Sequence, residues 1–189
     1  MIGMMLGILL SLTSVQKFTG TAIALPTDNQ YYDEATDTWY VLFEFSGARP
    51  YSQEHAAYII KGYRFKEREG YLATIKDAQT HYMVTGSLPK MRLANTWIGL
   101  QIRCGNPVSY IWDDGADLTD QSFRAWAPDA AERSRQACRR GNRRLPIYYV
   151  KTDFGMRWQV ADASASANYI LVVFPNPDDV VTEEETDGQ

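Results

Sequence analysis

Cysteine and histidine are scarce in this 189-residue chain, with two of each. Two cysteines, Cys104 and Cys138, are too few for a disulfide scaffold and leave two readings, one bridge or a pair of buried thiols. The histidines, His55 and His81, have no Cys, Ser or carboxylate constellation beside them in sequence, so neither a metal pair nor a catalytic base is expected. Gly-x-Gly-x-x-Gly and phosphate-loop patterns are missing, and so is any Asn-x-Ser/Thr acceptor. There is no internal repeat and no low-complexity linker. These absences favour one domain and give catalysis no support; the chain is not expected to be an enzyme.

Long apolar runs are also lacking, with one partial exception. Residues 1 to 15, "MIGMMLGILLSLTSV", are too short to span a bilayer with its usual 20 or so residues, but suit the core of a secretory signal. Ala22 and Ala24 supply the small-x-small pattern expected before a cleavage site. Residues 1–24 therefore read as a signal peptide, with a retained N-terminal helix or a misassigned start as the alternative, although no basic residue precedes the run. Export implies a secreted or extracellular protein and would permit a Cys104–Cys138 bridge.

Charge is unevenly spread. The net charge is −4, yet residues 124–144, "RAWAPDAAERSRQACRRGNRR", carry Arg133, Arg135, Arg139, Arg140, Arg143 and Arg144. By contrast, residues 178–189 hold six acids and no base, so 176–189 reads as an acidic disordered tail. Guanidinium groups pair well with phosphates, but export and an acidic remainder argue against nucleic acid. The arginine segment is either a solvated connection or an anion-binding surface.

Residues 25–37 lack periodicity and read as a lead-in. In "WYVLFEFS", Trp39, Val41, Phe43 and Phe45 alternate at period two, which predicts a half-buried strand. Ser52 can cap a helix with a stripe of Ala56, Ile59, Ile60 and Tyr63, and Asp77 opens a second, "DAQTHYMVTG". After residue 93 come short apolar runs between turn residues: "TWIGLQI", "SYIWDDG", "PIYYVKT", "MRWQVAD" and "NYILVVF". Those are strands, the last apolar on both faces like a central one. Strand, two helices and a strand-rich half make an α+β domain.

The elements "YLATIKDAQTHYMVTG", "TWIGL", "YIWDDG", "FRAW", "RWQVAD" and "NYILVVF" resemble, in order and spacing over residues 38–175, the C-type lectin-like domain. The specific part is Trp97-Ile98-Gly99-Leu100 with Trp112-Asp113-Asp114-Gly115. The resemblance implies two helices flanking a looped, mostly antiparallel sheet, with a long irregular loop that carries ligand binding in many members; the arginine segment falls on it. Trp97 and Trp112 are expected to fill one core, and Gly99 and Gly115 to allow close packing and a tight turn. Sugar-binding members hold calcium in a cage of side-chain oxygens. Here Ala127-Pro128-Asp129 and Trp158-Gln159-Val160 stand at the cage positions, and Ala127 and Val160 offer no side-chain oxygen. No cofactor is therefore expected, the usual calcium site included. Most of the family's cysteines are replaced too. Phe65, Ala163 and Leu171 occupy their positions, Phe65 and Leu171 are expected to pack in place of a cystine, and Cys104 is left as the partner for Cys138.

The resemblance and the charge together imply an exported recognition module that binds a glycan or a protein, with an anionic polysaccharide as the favoured ligand. Its binding residues are expected to be Trp126, Asp129, Arg133, Arg135, Arg139, Arg140, Arg143 and Arg144. The alternative is a structural or assembly component in which the arginine loop is passive.

Overall fold

The computed structural model describes residues 23–46, 52–162 and 165–179. Most of the predicted signal and most of the acidic tail lie outside these residues, as does Ala163.

Strand β1 (Ile23–Asp33) pairs antiparallel with β2 (Thr38–Ser46). The segment read as a lead-in is thus an edge strand. Pro26 and a register shift between Pro26 and Gln30 break its alternation, which is tolerable only at an edge, where an N–H need not be donated. β2 differs from expectation as well. Val41 and Phe43 join one core cluster, while Tyr40 and Leu42 join the other, so the strand is buried on both faces.

Helix α1 (Gln53–Ile60) starts where Ser52 accepts from the His55 N–H at 3.3 Å. The hairpin of β3 (Arg64–Phe65) and β4 (Arg68–Glu69), then the short β5 (Tyr71–Leu72), lead to α2 (Ala78–Ser87). Asp77 caps α2 by accepting from the Thr80 N–H at 2.8 Å. Five strands follow, namely β6 (Thr96–Arg103), β7 (Ser109–Trp112), β8 (Arg144–Thr152), β9 (Gly155–Val160) and β10 (Tyr169–Phe174). They build an eight-stranded sheet in the order β1-β2-β10-β6-β8-β9, with β5 on β10 and β7 on β6. Among the described residues its ladders are antiparallel except between β10 and β6. The fold is α+β, as expected.

Two cores result from the two faces of the sheet. On β10, Ile170, Val172 and Phe174 enter one cluster, and Tyr169 and Leu171 the other. This alternation corrects two expectations. Trp97 and Trp112 do not share a core: Trp97 stands edge-on to Tyr148, while Trp112 stands edge-on to Trp158 at 5.6 Å. Phe65 does not meet Leu171 either. Its ring lies 5.4 Å from Phe174 and 5.8 Å from Trp39, on the opposite face of β10 from Leu171. The glycines behave as read. A Cβ on Gly99 would stand 2.9 Å from the Leu72 carbonyl oxygen, and Gly115 turns at φ +83°.

The largest departure lies between β7 and β8. Instead of a wholly irregular loop, a third helix, α3 (Ala130–Arg139), occupies the arginine segment. Its inward residues are Ala130, Ser134 and Ala137, at i, i+4 and i+7. These are small, so the helix lies close to β9 without a large apolar stripe. Gly141, at φ +88°, turns the chain away after its end.

Candidate functional site

The segment before α3 is anchored by backbone bonds to β9: the Ala127 N–H donates to the Trp158 carbonyl at 2.8 Å, and the Trp158 N–H to Ala125 at 2.7 Å. Trp126 is half-buried there, its ring 5.5 Å from Trp158 and 5.6 Å from Tyr110. Asp129 follows at the start of α3. Its carboxylate accepts from the Arg133 Nε at 2.6 Å and the Gln159 Nε2 at 2.7 Å. The Arg133 bond first, and the Gln159 bond second, hold this carboxyl below its ordinary pKa. One turn on, Glu132 accepts from the Gln136 Nε2 at 2.8 Å and the Arg135 Nη2 at 2.7 Å. These contacts depress its pKa in the same order.

The six arginines therefore divide. Arg133 and Arg135 are spent on acids of their own helix, pairs of the i, i+3 and i, i+4 kind that stabilise helices by a few tenths of a kcal/mol each. Arg139, Arg140, Arg143 and Arg144 are exposed. Among the described residues they form no ion pair.

The disulfide brings the end of α3 and the start of β8 beside a fifth arginine, Arg103. Cys104 and Cys138 are bonded, their Cα atoms 5.4 Å apart, which ties the end of β6 to the last turn of α3. Just past β6 the Cys104 N–H donates to the Arg143 carbonyl at 2.9 Å, and Arg103 stands directly opposite Arg144 in the β6–β8 register. Arg103 is exposed and lacks an acid partner among the described residues. Sequence reasoning missed it, although its position beside Cys104 would have placed it once the bridge was assumed. The negative end of the α3 dipole accounts for cations at Arg139 and Arg140. It does not account for Arg103, Arg143 and Arg144.

The donor set does not fit calcium, which takes about six to eight oxygens. Ala127 and Val160 are 4% and 2% exposed and bring no side-chain oxygen, while Asp129 already faces the Arg133 guanidinium. Neither histidine offers a catalytic group on the surface. His81 is buried with its Nδ1 2.9 Å from the Tyr149 hydroxyl, and burial pushes its pKa down to about 4. His55 is buried in α1, where burial likewise lowers its pKa.

Comparison with protein-family models and with curated proteins gives no match. Among solved structures, the chain is similar in fold to C-type lectin CEL-I from Cucumaria echinata, with a TM-score of 0.55 and 16% identity over 78% of this chain and 95% of that one. A second similar structure is the EPNH mutant of CEL-I, with a TM-score of 0.54 and 16% identity, covering 78% of this chain and 94% of that one. The architecture is thus C-type lectin-like.

Proposed function

We propose that the chain is an exported recognition module in which residues 38–175, joined by the β1 edge strand, form a divergent C-type lectin-like domain. It binds an anionic polysaccharide, sulfated or carboxylated, through a pole made by Arg103, Arg139, Arg140, Arg143 and Arg144. The register of Arg103 against Arg144 carries this reading. Like charges directly opposite each other on paired strands are destabilising, and neither arginine forms an ion pair among the described residues. An anion laid across the pole would relieve that repulsion. Trp126, Asp129, Arg133 and Arg135 flank the surface and hold α3 in position. Each exposed arginine contact contributes only about 0.2 to 1 kcal/mol, so a polymer that touches several at once is the suited ligand. No calcium takes part.

A glycan array of the secreted protein, run with and without a chelator, tests this. Sulfated and uronic-acid glycans should be retained equally in both conditions. Retention abolished by the chelator would overturn the calcium-free reading. Retention of no charged glycan would favour an assembly component.

A further inference from the structure

The chain leaves the sheet at the end that carries the arginine pole. β10 lies parallel to β6, with Tyr169 beside Thr96 and Ile170 beside Trp97, so both strands head for one end of the sheet. β6 finishes there at Arg103, and β8, antiparallel to it, starts there at Arg144. β10 finishes there too, at Phe174.

Phe174 stands five residues beyond Tyr169, and Arg103 seven beyond Thr96. At about 3.3 Å per residue the offset along the strands is about 7 Å. Sideways, β6 and β8 each add about 4.8 Å, and β5, paired with Val172 and Val173 of β10, adds one more such step. The Arg103–Arg144 pair is therefore on the order of 15 Å from Phe174. Glu183 follows Phe174 by nine residues, and that length of extended chain reaches about 30 Å. The acids from Glu183 onward can thus meet the pole, even with the 3-10 turn at Pro177–Asp179 in between.

Charge supplies the attraction. Residues 178–189 hold six acids and no base, while the five arginines of the pole are exposed and form no ion pair among the described residues. We propose that the acidic segment 178–189 is an internal competitor for the arginine pole; this rests on the anion-binding reading of the pole. A short tether holds the segment at the pole at an effective concentration on the order of millimolar. Binding of only millimolar strength then occupies the pole about half the time. Occupancy lowers the apparent affinity of every external anion by the fraction of the pole left free. A dense polyanion that touches several arginines at once displaces the segment, and a lone carboxylate or sulfate does not. The segment thereby sets a threshold of charge density that a ligand must meet.

The test uses the full chain and two variants of equal charge. Glu184→Gln with Glu185→Gln weakens the competitor. Glu44→Gln with Asp153→Asn removes the same charge from exposed positions at the opposite end of the sheet, where Glu44 pairs with Tyr169 and Asp153 follows β8. In about 20 mM salt and without polymer, backbone amide resonances of Arg103, Arg139, Arg140, Arg143 and Arg144 should move in the first variant and stay in the second. The difference should vanish in about 0.5 M salt. The first variant should also bind a heparin-type oligosaccharide about twofold to fivefold more tightly than the wild type, and the second should gain markedly less. Unmoved pole resonances in the first variant would overturn the contact. Equal gains in affinity would reduce the effect to net charge and overturn the competition. Moved resonances with no oligosaccharide binding by any of the three proteins would support the contact and overturn the polysaccharide reading alone.

Discussion

His81 is a neutral imidazole in an aromatic cage. The Tyr149 hydroxyl bonds its Nδ1, Tyr82 and Phe123 pack against its ring, and the Arg157 charge adds to the burial that lowers its pKa. Because the folded pKa, about 4, lies below the ordinary 6.5, the unfolded chain takes up the proton first as pH falls. The stabilisation is therefore complete above pH 6.5 and is lost progressively down to about pH 4. It amounts to at most about 3 kcal/mol. Thermal midpoints at pH 7 and 4.5 should fall further apart in the wild type than in His81→Gln; equal gaps would refute the assignment. Gly99 makes a second prediction at this scale. The Cβ of Gly99→Ala would press on the Leu72 carbonyl, a backbone atom that cannot rotate away. A loss of about 1 to 3 kcal/mol in denaturant unfolding is expected.

Helix α3 was concealed by the smallness of its buried residues. Ala130, Ser134 and Ala137 give no apolar stripe of the kind that betrayed α1, and the arginines drew attention to charge instead. The i, i+4 spacing of Asp129 with Arg133 and of Glu132 with Gln136 was legible all the same. β1 was hidden by Pro26 and the register shift after it, because a strand whose alternation is interrupted has no period to read. The caps Ser52 and Asp77 could be read because each acts within its own turn. The partners of Phe65 and Trp97 could not, since which face of a sheet meets which neighbour is set by long-range pairing. The Cys104–Cys138 bond closes the segment that contains α3, a separation of 34 residues. Chain-entropy reasoning gives about 3 to 4 kcal/mol for such a loop. The double Cys→Ser variant should lose about that much in chemical unfolding, and its retention on an anionic matrix should weaken as Arg103 and Arg139 are released from each other. Two alkylatable thiols in the unreduced, denatured protein would contradict the bond.

At the scale of the whole molecule, a chain of net charge −4 carries five exposed arginines that form no ion pair among the described residues, on segments joined by one disulfide. The lectin-like architecture and four of the five arginines were legible in the sequence; their separation from the paired Arg133 and Arg135 was not, because those local pairs form only where the segment is a helix. Millimolar calcium should barely move the melting temperature, since an ion raises stability only by binding the native state. Electrostatic binding at exposed arginines must also weaken steeply with salt. The most direct measurement is the salt concentration at which the protein elutes from a heparin-type column, compared with a variant carrying Ser at positions 139, 140, 143 and 144. None of these arginines is buried, so the variant should keep its fold by circular dichroism. The wild type should be retained to markedly higher salt and the variant should pass through unretained. Elution of both together at low salt would mean that the arginine pole binds nothing.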